Sequence, residues 1–573
     1  MFHPESAPPP SIDPGLPPPT STSSFWHNPP HSFLHSHRTT PTLPESVRTI
    51  IIGSGMAGSM LYTQLHTLSL SNSVLMLEAR NTCFGATGRN GGHCKPMLYK
   101  MGITTLEEYA SIFGLPEALK RIRFELLNLA LVKEYVDAEA VDCEFVELQS
   151  ADVYYEKPLL EVAKRNIAAL GKAAPELAKA LRVVTAETAE GRSELKEVLR
   201  TPTAAGAVVS NAGKLWPYKL VGHILAKGVR EQGLNLQTTT PAMSVTRHGK
   251  DKWAVETPRG VVVADRVVFA TNAYTAHLLP AFKGWIYPVR AQMSALLPPK
   301  SLRDRPLTHT YGLIRDDMMK LDYLIQRPIA RDGTGGELML GGGRHLEAEH
   351  GIGLNDGSIN ADVSAHLRGG IPGYFADEKG YEDDEDLRKS FIAEFRRLRV
   401  SAKKGHDVWD AAEGLGFGPE SESDDEFEVR ERMKRGPQCK AVAEWSGTMG
   451  FSRDECPFVG KVPAVTAEDA VAKEIPLLED TKGLWMLAGF EGHGKQLPST
   501  ITAHTDECTG MAFTTGSAKA LALMIYAEQH GLDIEDDCGL YDWFPRTFES
   551  TPARIGLREG PEKDTEWVLV ENQ

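Results

Sequence analysis

The chain has 573 residues, 41% of them hydrophobic and 24% charged. That is too long for one ordinary domain of roughly 100–200 residues and apolar enough to exclude global disorder. With 62 Lys and Arg against 77 Asp and Glu the formal charge is −15, which argues against wrapping a nucleic-acid backbone or docking on anionic lipid.

No run of about 20 apolar residues offers a transmembrane helix, and the opening MFHPESAPPPSIDP has neither the basic nor the apolar stretch of a secretory signal. Residues 1–45 carry twelve prolines and predict a free tail over 1–20; Phe25, Trp26 and Leu34 suggest an extended arm laid across the body over 21–45. Order begins at Val47. The β-branched run through Ile52 predicts a buried parallel strand, residues 56–68 a helix, and SVLMLE at 73–78 a second strand. Ile122, Leu126, Leu129 and Val132 put an amphipathic helix over 118–138. Residues 158–182 carry a similar pattern, and 213–233 read as a turn feeding a helix. The period then shortens: strands are expected at 235–247, 252–257, 260–264 and 266–270, a helix at 273–279, and further strands at 285–297 and within 306–343. A helix is expected at 385–400 after the acidic run 377–386. A second acidic run, 420–428, reads as solvated loop because charges that dense repel when packed. A strand–glycine turn at 483–494 and a helix at 515–529 close the pattern. Seven cysteines without a CxxC pair read as free thiols in a reducing compartment; no metal site is expected.

Gly53-Ser54-Gly55-Met56-Ala57-Gly58 is GxGxxG between a strand and a helix. Gly53 permits the tight turn, Gly55 close approach of backbone to a pyrophosphate, and Gly58 close helix–strand packing. The unsatisfied N–H groups of the helix start then face the phosphates. Glu78, at the end of the next strand, suits an adenosine ribose without a 2′-phosphate, hence FAD or NAD rather than NADP. Beyond Ala79 and Arg80, Cys83-Phe84-Gly85-Ala86-Thr87-Gly88-Arg89-Asn90-Gly91-Gly92-His93 holds four glycines within eight residues, leaving main chain able to approach a flat ring.

These segments resemble the FAD-dependent glycine/D-amino acid oxidase (DAO-type) family, nearest to its γ-glutamylputrescine oxidase-like fungal branch, where a GATGRNGG segment crosses the flavin. The resemblance runs from about Leu16 to Leu557. It includes Val267–Tyr274 (VVxATNAY), Tyr287-Pro288-Val289-Arg290 with Ala291 in place of the usual Gly, Trp445-Ser446-Gly447 with Asp454, Pro457 and Gly460, and Gly489-Phe490-Glu491-Gly492-His493-Gly494. One departure stands out: residues 495–510 intervene before Met511, where the family runs directly on. A retained 48-nucleotide intron, with Gly-Lys spanning a splice donor, and a genuine lid are both open.

The resemblance implies an α/β fold, a Rossmann-like FAD-binding domain (46–110, 200–290 and 440–530) interleaved with a mixed or antiparallel-sheet substrate domain (111–199 and 291–439), between the N-terminal arm (1–45) and a C-terminal extension (531–573). It implies FAD held by Gly53, Gly55, Met56, Ala57, Gly58, Glu78, Ala79, Arg80, Ala86, Thr87, Arg89, Asn90, Gly91, Gly92, Thr271, Asn272, Gly489, Gly492 and Gly494. Arg89 is expected on a phosphate or flavin oxygen, or else in a structural salt bridge. His93, His493 and Arg344 are the catalytic candidates, with Arg290 as an alternative partner for a substrate carboxylate, Cys94 as a less favoured flavin anchor, and Trp285, Tyr311, Tyr323 and Trp445 as pocket walls or core. The implied reaction removes a hydride from carbon beside an amine nitrogen of a small amine or amino acid, with O2 as one acceptor. The alternatives are a dehydrogenase, a tailoring oxidase acting on a larger metabolite, and an inactive flavin-binding protein. No nucleic-acid or membrane partner is expected. The ending Glu-Asn-Gln is not a peroxisomal address, so a cytoplasmic location is the expectation.

Overall fold

A computed structural model describes residues 12–100, 105–315, 320–375, 439–490 and 510–557. The expected helix at 385–400, both acidic runs, and Gly492, His493 and Gly494 with nearly all of the 495–510 segment lie outside the described residues.

The fold is mixed α/β with two sheets, as expected. In the first, the strands run Phe458–Lys461, Leu484–Ala488, Gly260–Phe269, Ser46–Ile52, Val74–Leu77 and Asn235–Gln237 in spatial order. Ser46–Ile52 is parallel to both Gly260–Phe269 and Val74–Leu77. Alternation along the central strand explains its all-apolar sequence: Ile51 packs with Met60, Leu61 and Ile525 on one side, while Ile50 and Ile52 pack with Val262 and Trp253 on the other. Each such side chain buried stabilises by about 1.5–3 kcal/mol. The helices Met56–Thr67, Pro217–Glu231 and Gly510–His530 supply the first of these faces. On the other side the hairpin Ser244–His248 and Lys252–Thr257 pairs onto the edge of Gly260–Phe269. That last strand is one element, not two, because Asp265 within it is exposed.

The second sheet runs Ala441–Ser452, Ile286–Leu296, Leu338–Gly342, Leu321–Gln326, His309–Ile314, Val146–Tyr154, Gly206–Lys214 and His93–Cys94. It is mixed: His309–Ile314 is parallel to Val146–Tyr154 while its neighbours pair antiparallel. His93–Cys94, Gly206–Lys214 and Ala441–Ser452, assigned from sequence to the cofactor-binding segments, are strands of this second sheet. Long antiparallel registers with Val146–Tyr154 and Ile286–Leu296 hold Gly206–Lys214 and Ala441–Ser452 there, and His93–Cys94 pairs over two residues with Lys214 and Gly213. The helix expected over 158–182 ends at Ala173, restarts briefly at Pro175 and gives way to the strand Arg182–Thr185. Pro175 has no N–H to continue the ladder. The helix expected at 273–279 is a 3-10 turn, Asn272–Tyr274, followed by Thr275–Leu278. Among the described residues no helix is long and apolar enough to cross a membrane.

The arm is laid on the body, and from further upstream than the sequence suggested. Phe25 and Trp26 are buried, Trp216 Nε1 donates to the Trp26 carbonyl at 2.8 Å, and Arg38 bridges antiparallel to Gln237 at the rim of the first sheet. Residues 12–20, expected as free tail, also rest on the protein: Asp13 is ion-paired to the body, and Gly15, Leu16 and Pro17 line a cleft beside Gly53 and Gly55.

Candidate active site and cofactor cleft

The cleft opens where the central strand turns into helix Met56–Thr67. Gly53 sits at φ +115, a conformation that L side chains rarely adopt, and a Cβ there would lie 2.4 Å from the Ala270 carbonyl oxygen. Gly58 lies behind the turn, where a Cβ would meet the Gly53 carbonyl oxygen at 2.1 Å. Gly55 is the N-cap and offers no side-chain cap, so the first-turn N–H groups of Ala57 and Gly58 have no acceptor within the helix. Met56 N–H is satisfied from elsewhere: it donates to Thr87 Oγ1 at 3.0 Å. Thr87 thus brings the second glycine-rich segment onto the mouth of the first.

Glu78 is buried at the end of Val74–Leu77. Its Oε2 accepts from Ser54 N–H (3.1 Å) and Ser54 Oγ (2.7 Å), and Oε1 accepts from Arg80 N–H (2.9 Å). A carboxylate has about four acceptor positions, so Oε1 keeps one for a ligand hydroxyl. The Arg80 side chain turns to Asp356, Nη1 to Oδ1 at 3.0 Å, and donates to the Phe84 carbonyl at 2.8 Å.

For Arg89 the sequence leaves a phosphate or flavin oxygen and a structural salt bridge open. Arg89 does not line the cleft. Its Nε pairs with Asp356 Oδ2 at 3.2 Å, both side chains being fully buried, and it donates further to the Phe84 and Ser446 carbonyls and to the Ser21 and Thr22 hydroxyls. Burial pushes its pKa down to about 10, with Asp356 opposing. The structural salt bridge is the alternative that the geometry realises. Gly58, Gly91, Gly92 and Gly489 are also outside the lining. A Cβ on Gly91 would meet Tyr323 at 2.7 Å and one on Gly92 the Leu215 carbonyl oxygen at 2.7 Å, so both act through packing.

Of the expected cofactor residues, Gly53, Gly55, Met56, Ala57, Glu78, Ala79, Arg80, Ala86, Thr87, Asn90, Thr271 and Asn272 do line one cleft. It encloses about 1200 Å³ of space, part of it open to solvent. Sequence reasoning did not assign to the cofactor several further lining residues, among them Gly15, Leu16 and Pro17 of the arm, Pro241 and Ala242, Tyr274, His277 and Leu278, Thr448, Phe490, Met511 and Thr514. The VVxATNAY and WxG segments hinted at Tyr274 and Thr448; nothing local marks the arm.

Of the catalytic candidates within the described residues, His93 and Arg344 do not line this cleft. His93 pairs in register with Lys214 and stands edge-on to Tyr323 at 5.6 Å between ring centroids. Burial, reinforced by Lys95 and Lys214, pushes its imidazole down to about 3, and its Nε2 has no hydrogen-bond partner among the described residues. Arg344 is buried with its guanidinium 5.2 Å from the Phe451 ring, outside the cleft lining. Arg290 is held by Glu347 at 2.8 Å and Ser358 at 2.9 Å. Cys94 is buried and its thiol pushed up to about 12 by burial. Trp285 stacks under Arg453, Tyr311 donates to the Leu199 carbonyl in the core, and Trp445 Nε1 donates to the Arg89 carbonyl.

A helix start whose Ala57 and Gly58 N–H groups have no acceptor in the helix, a glycine turn, a carboxylate with room for a ligand hydroxyl and one cleft lined by both glycine segments fit a dinucleotide that carries a flat ring system. The chain belongs to the FAD-dependent oxidoreductase (DAO) family, whose model matches residues 48–497. A curated relative, the probable oxidoreductase OrdL of Haemophilus influenzae, is 25% identical over 236 residues, 40% of this chain and 50% of that protein. The chain thus aligns with about half the length of that relative. Glycine oxidase from Geobacillus kaustophilus shares the fold at TM-score 0.53 and 15% identity, over 89% of this chain and 99% of that one. L-amino acid deaminase from Proteus vulgaris, with its specific insertion deleted, does so at TM-score 0.53 and 15% identity, over 91% and 97%.

Proposed function

We propose that the protein oxidises the C–N bond of a small amine or amino acid to an imine, which water then hydrolyses, with O2 as the electron acceptor. When bound, FAD supplies the two-electron acceptor for the C–H bond beside nitrogen. The protein's share is to bind, orient and desolvate. The observation that carries the reading is the environment at the end of the second glycine segment, three residues past the cleft-lining Asn90. There burial holds His93 neutral, and it lowers Lys214 to about 8. Surroundings that penalise positive charge favour the free amine over its ammonium, and the free amine is the form that donates electrons. His93, uncharged at neutral pH, can orient a substrate by hydrogen bonding without competing for its charge. Glycine oxidase and L-amino acid deaminase, by name, act on amino acids, which supports the same class. The likeness of GATGRNGG to the γ-glutamylputrescine oxidase branch adds polyamine-derived amines to the panel.

The test is an anaerobic absorption spectrum of the holoprotein with amines and amino acids added in turn. Bleaching of the flavin band by one of them, reversed by air, is the expected result. Bleaching not reversed by air would make the enzyme a dehydrogenase, and a band unmoved by any amine would overturn the substrate class.

A further inference from the structure

The arm from Trp26 back to Asp13 runs from the second glycine segment, past the Arg89–Asp356 pair, to the cleft. Trp26 Nε1 donates to the Asn90 carbonyl at 2.5 Å and Ser24 Oγ to the Gly88 carbonyl at 2.7 Å. Thr22 N–H donates to the Asp356 carbonyl at 2.9 Å, and the Ser21 hydroxyl accepts from Arg89. Pro17, Leu16 and Gly15 then form part of the cleft lining. Just beyond them, Asp13 Oδ1 meets His277 Nδ1 at 2.9 Å and Oδ2 meets Lys283 Nζ at 3.0 Å. His277 lines the cleft too. The arm is therefore tied at one end to the second glycine segment and at the other to the segment after Asn272–Tyr274, with residues 15–17 between the two ties.

We infer that residues 13–17 are a strap that retains the bound dinucleotide, with Asp13 as the positioning residue that latches it to His277 and Lys283. The local sequence suits a strap. Pro14, Pro17, Pro18 and Pro19 restrict the backbone, so little entropy is lost when the ends are fixed. Gly15, at φ +63, takes the turn, with its N–H donating to Asp13 Oδ1 at 2.9 Å. Partial burial tends to raise the Asp13 pKa, but the Gly15 N–H, His277 and Lys283 outweigh it and hold the carboxyl down at about 2, so the latch is charged at neutral pH. The three side chains are 27–44% exposed, and pairs this exposed shift an equilibrium by up to about five-fold each. The latch thus tunes release without setting the fold.

The inference rests on the FAD assignment and not on the amine reading, and its test needs no substrate, so an enzyme that no amine reduces would still report on it. Full-length holoprotein is diluted and FAD release is followed by flavin fluorescence for the wild type, Asp13→Lys, Lys283→Asp and the double swap, with urea midpoints measured in parallel. Asp13→Lys is expected to speed release about five- to tenfold at an unchanged urea midpoint, and the swap to return it most of the way. High salt should speed the wild type and leave Asp13→Lys unmoved. Release from Asp13→Lys at the wild-type rate, or a swap as fast as the single variant, would overturn the strap.

Discussion

Thr87 Oγ1 accepts the Met56 N–H at 3.0 Å, so the helix that begins at the first glycine motif is capped by the second. Two segments that are 31 residues apart are thereby held in one corner of the cleft, and the cap comes from outside the helix because Gly55 has no side chain to give it. Thr87→Val keeps the shape and removes the acceptor. It is expected to cost about 1 kcal/mol of stability, the usual value of an N-cap, and to weaken FAD binding. Urea unfolding of the apoprotein and fluorescence titration with FAD measure the two separately.

Gly58 and Gly85 separate packing from ligand space. A Cβ on Gly58 lies 2.1 Å from the Gly53 carbonyl oxygen, which cannot yield without moving the turn, whereas one on Gly85 meets nothing within 4 Å. Gly58→Ala is expected to destabilise by about 1–3 kcal/mol through overpacking and to purify with little flavin. Gly85→Ala should unfold within about 0.5 kcal/mol of wild type; since Gly85 lines the cleft, it should lose FAD affinity alone. Equal unfolding midpoints for the two variants would contradict this division.

His93 gives a pH dependence with a definite sign. The unfolded imidazole takes up its proton near pH 6.5, the buried one near 3. Between those values the unfolded state binds more protons, so the contribution is complete above pH 6.5 and is lost as pH falls toward 3. By pH 5 the loss is about 2 kcal/mol. His93→Phe should flatten the fall in unfolding free energy between pH 7.5 and 5 by that amount. The remaining slope belongs to groups such as His27, whose pKa is also held well down by burial. An unchanged slope would place His93 in contact with water.

What the sequence disclosed follows from how local the cause was. Ser46–Ile52, Met56–Thr67 and Val74–Leu77 are legible because strand, glycine turn and helix are contiguous and each follows its own period. Val146–Tyr154 is not, because Asp152 occupies a buried position and breaks the apolar pattern. Its charge is balanced by Lys95 and Lys100, some 50 residues upstream. Gly206–Lys214 hides in the same way behind a buried Lys214. The Arg89 role was ambiguous because its ion-pair partner Asp356 lies more than 250 residues on, between the strand Leu338–Gly342 and the helix Ala361–Tyr374. The arm's place in the cleft rests on Gly and Pro, which announce no contact at all.

Asn272 was expected at the cofactor and lines the cleft, but its carboxamide also holds a neighbouring turn. Oδ1 accepts the N–H groups of Gly489 (3.0 Å) and Phe490 (3.2 Å), joining the end of Gly260–Phe269 to the end of Leu484–Ala488. Its backbone is left-handed, at φ +41, a conformation Asn tolerates better than most residues. Gly450 passes so close that a Cβ there would sit 2.6 Å from the same Oδ1. Asn272→Ala removes the shared acceptor and leaves two buried donors, so about 1–3 kcal/mol of stability should go. Asn272→Asp keeps the acceptor and should recover most of it. Because Phe490 lines the cleft, the Ala variant should also shift the flavin absorption and visible circular dichroism of the holoprotein, and the Asp variant should shift them less. A spectrum untouched by Asn272→Ala, alongside the loss of stability, would confine the residue to holding the strands together.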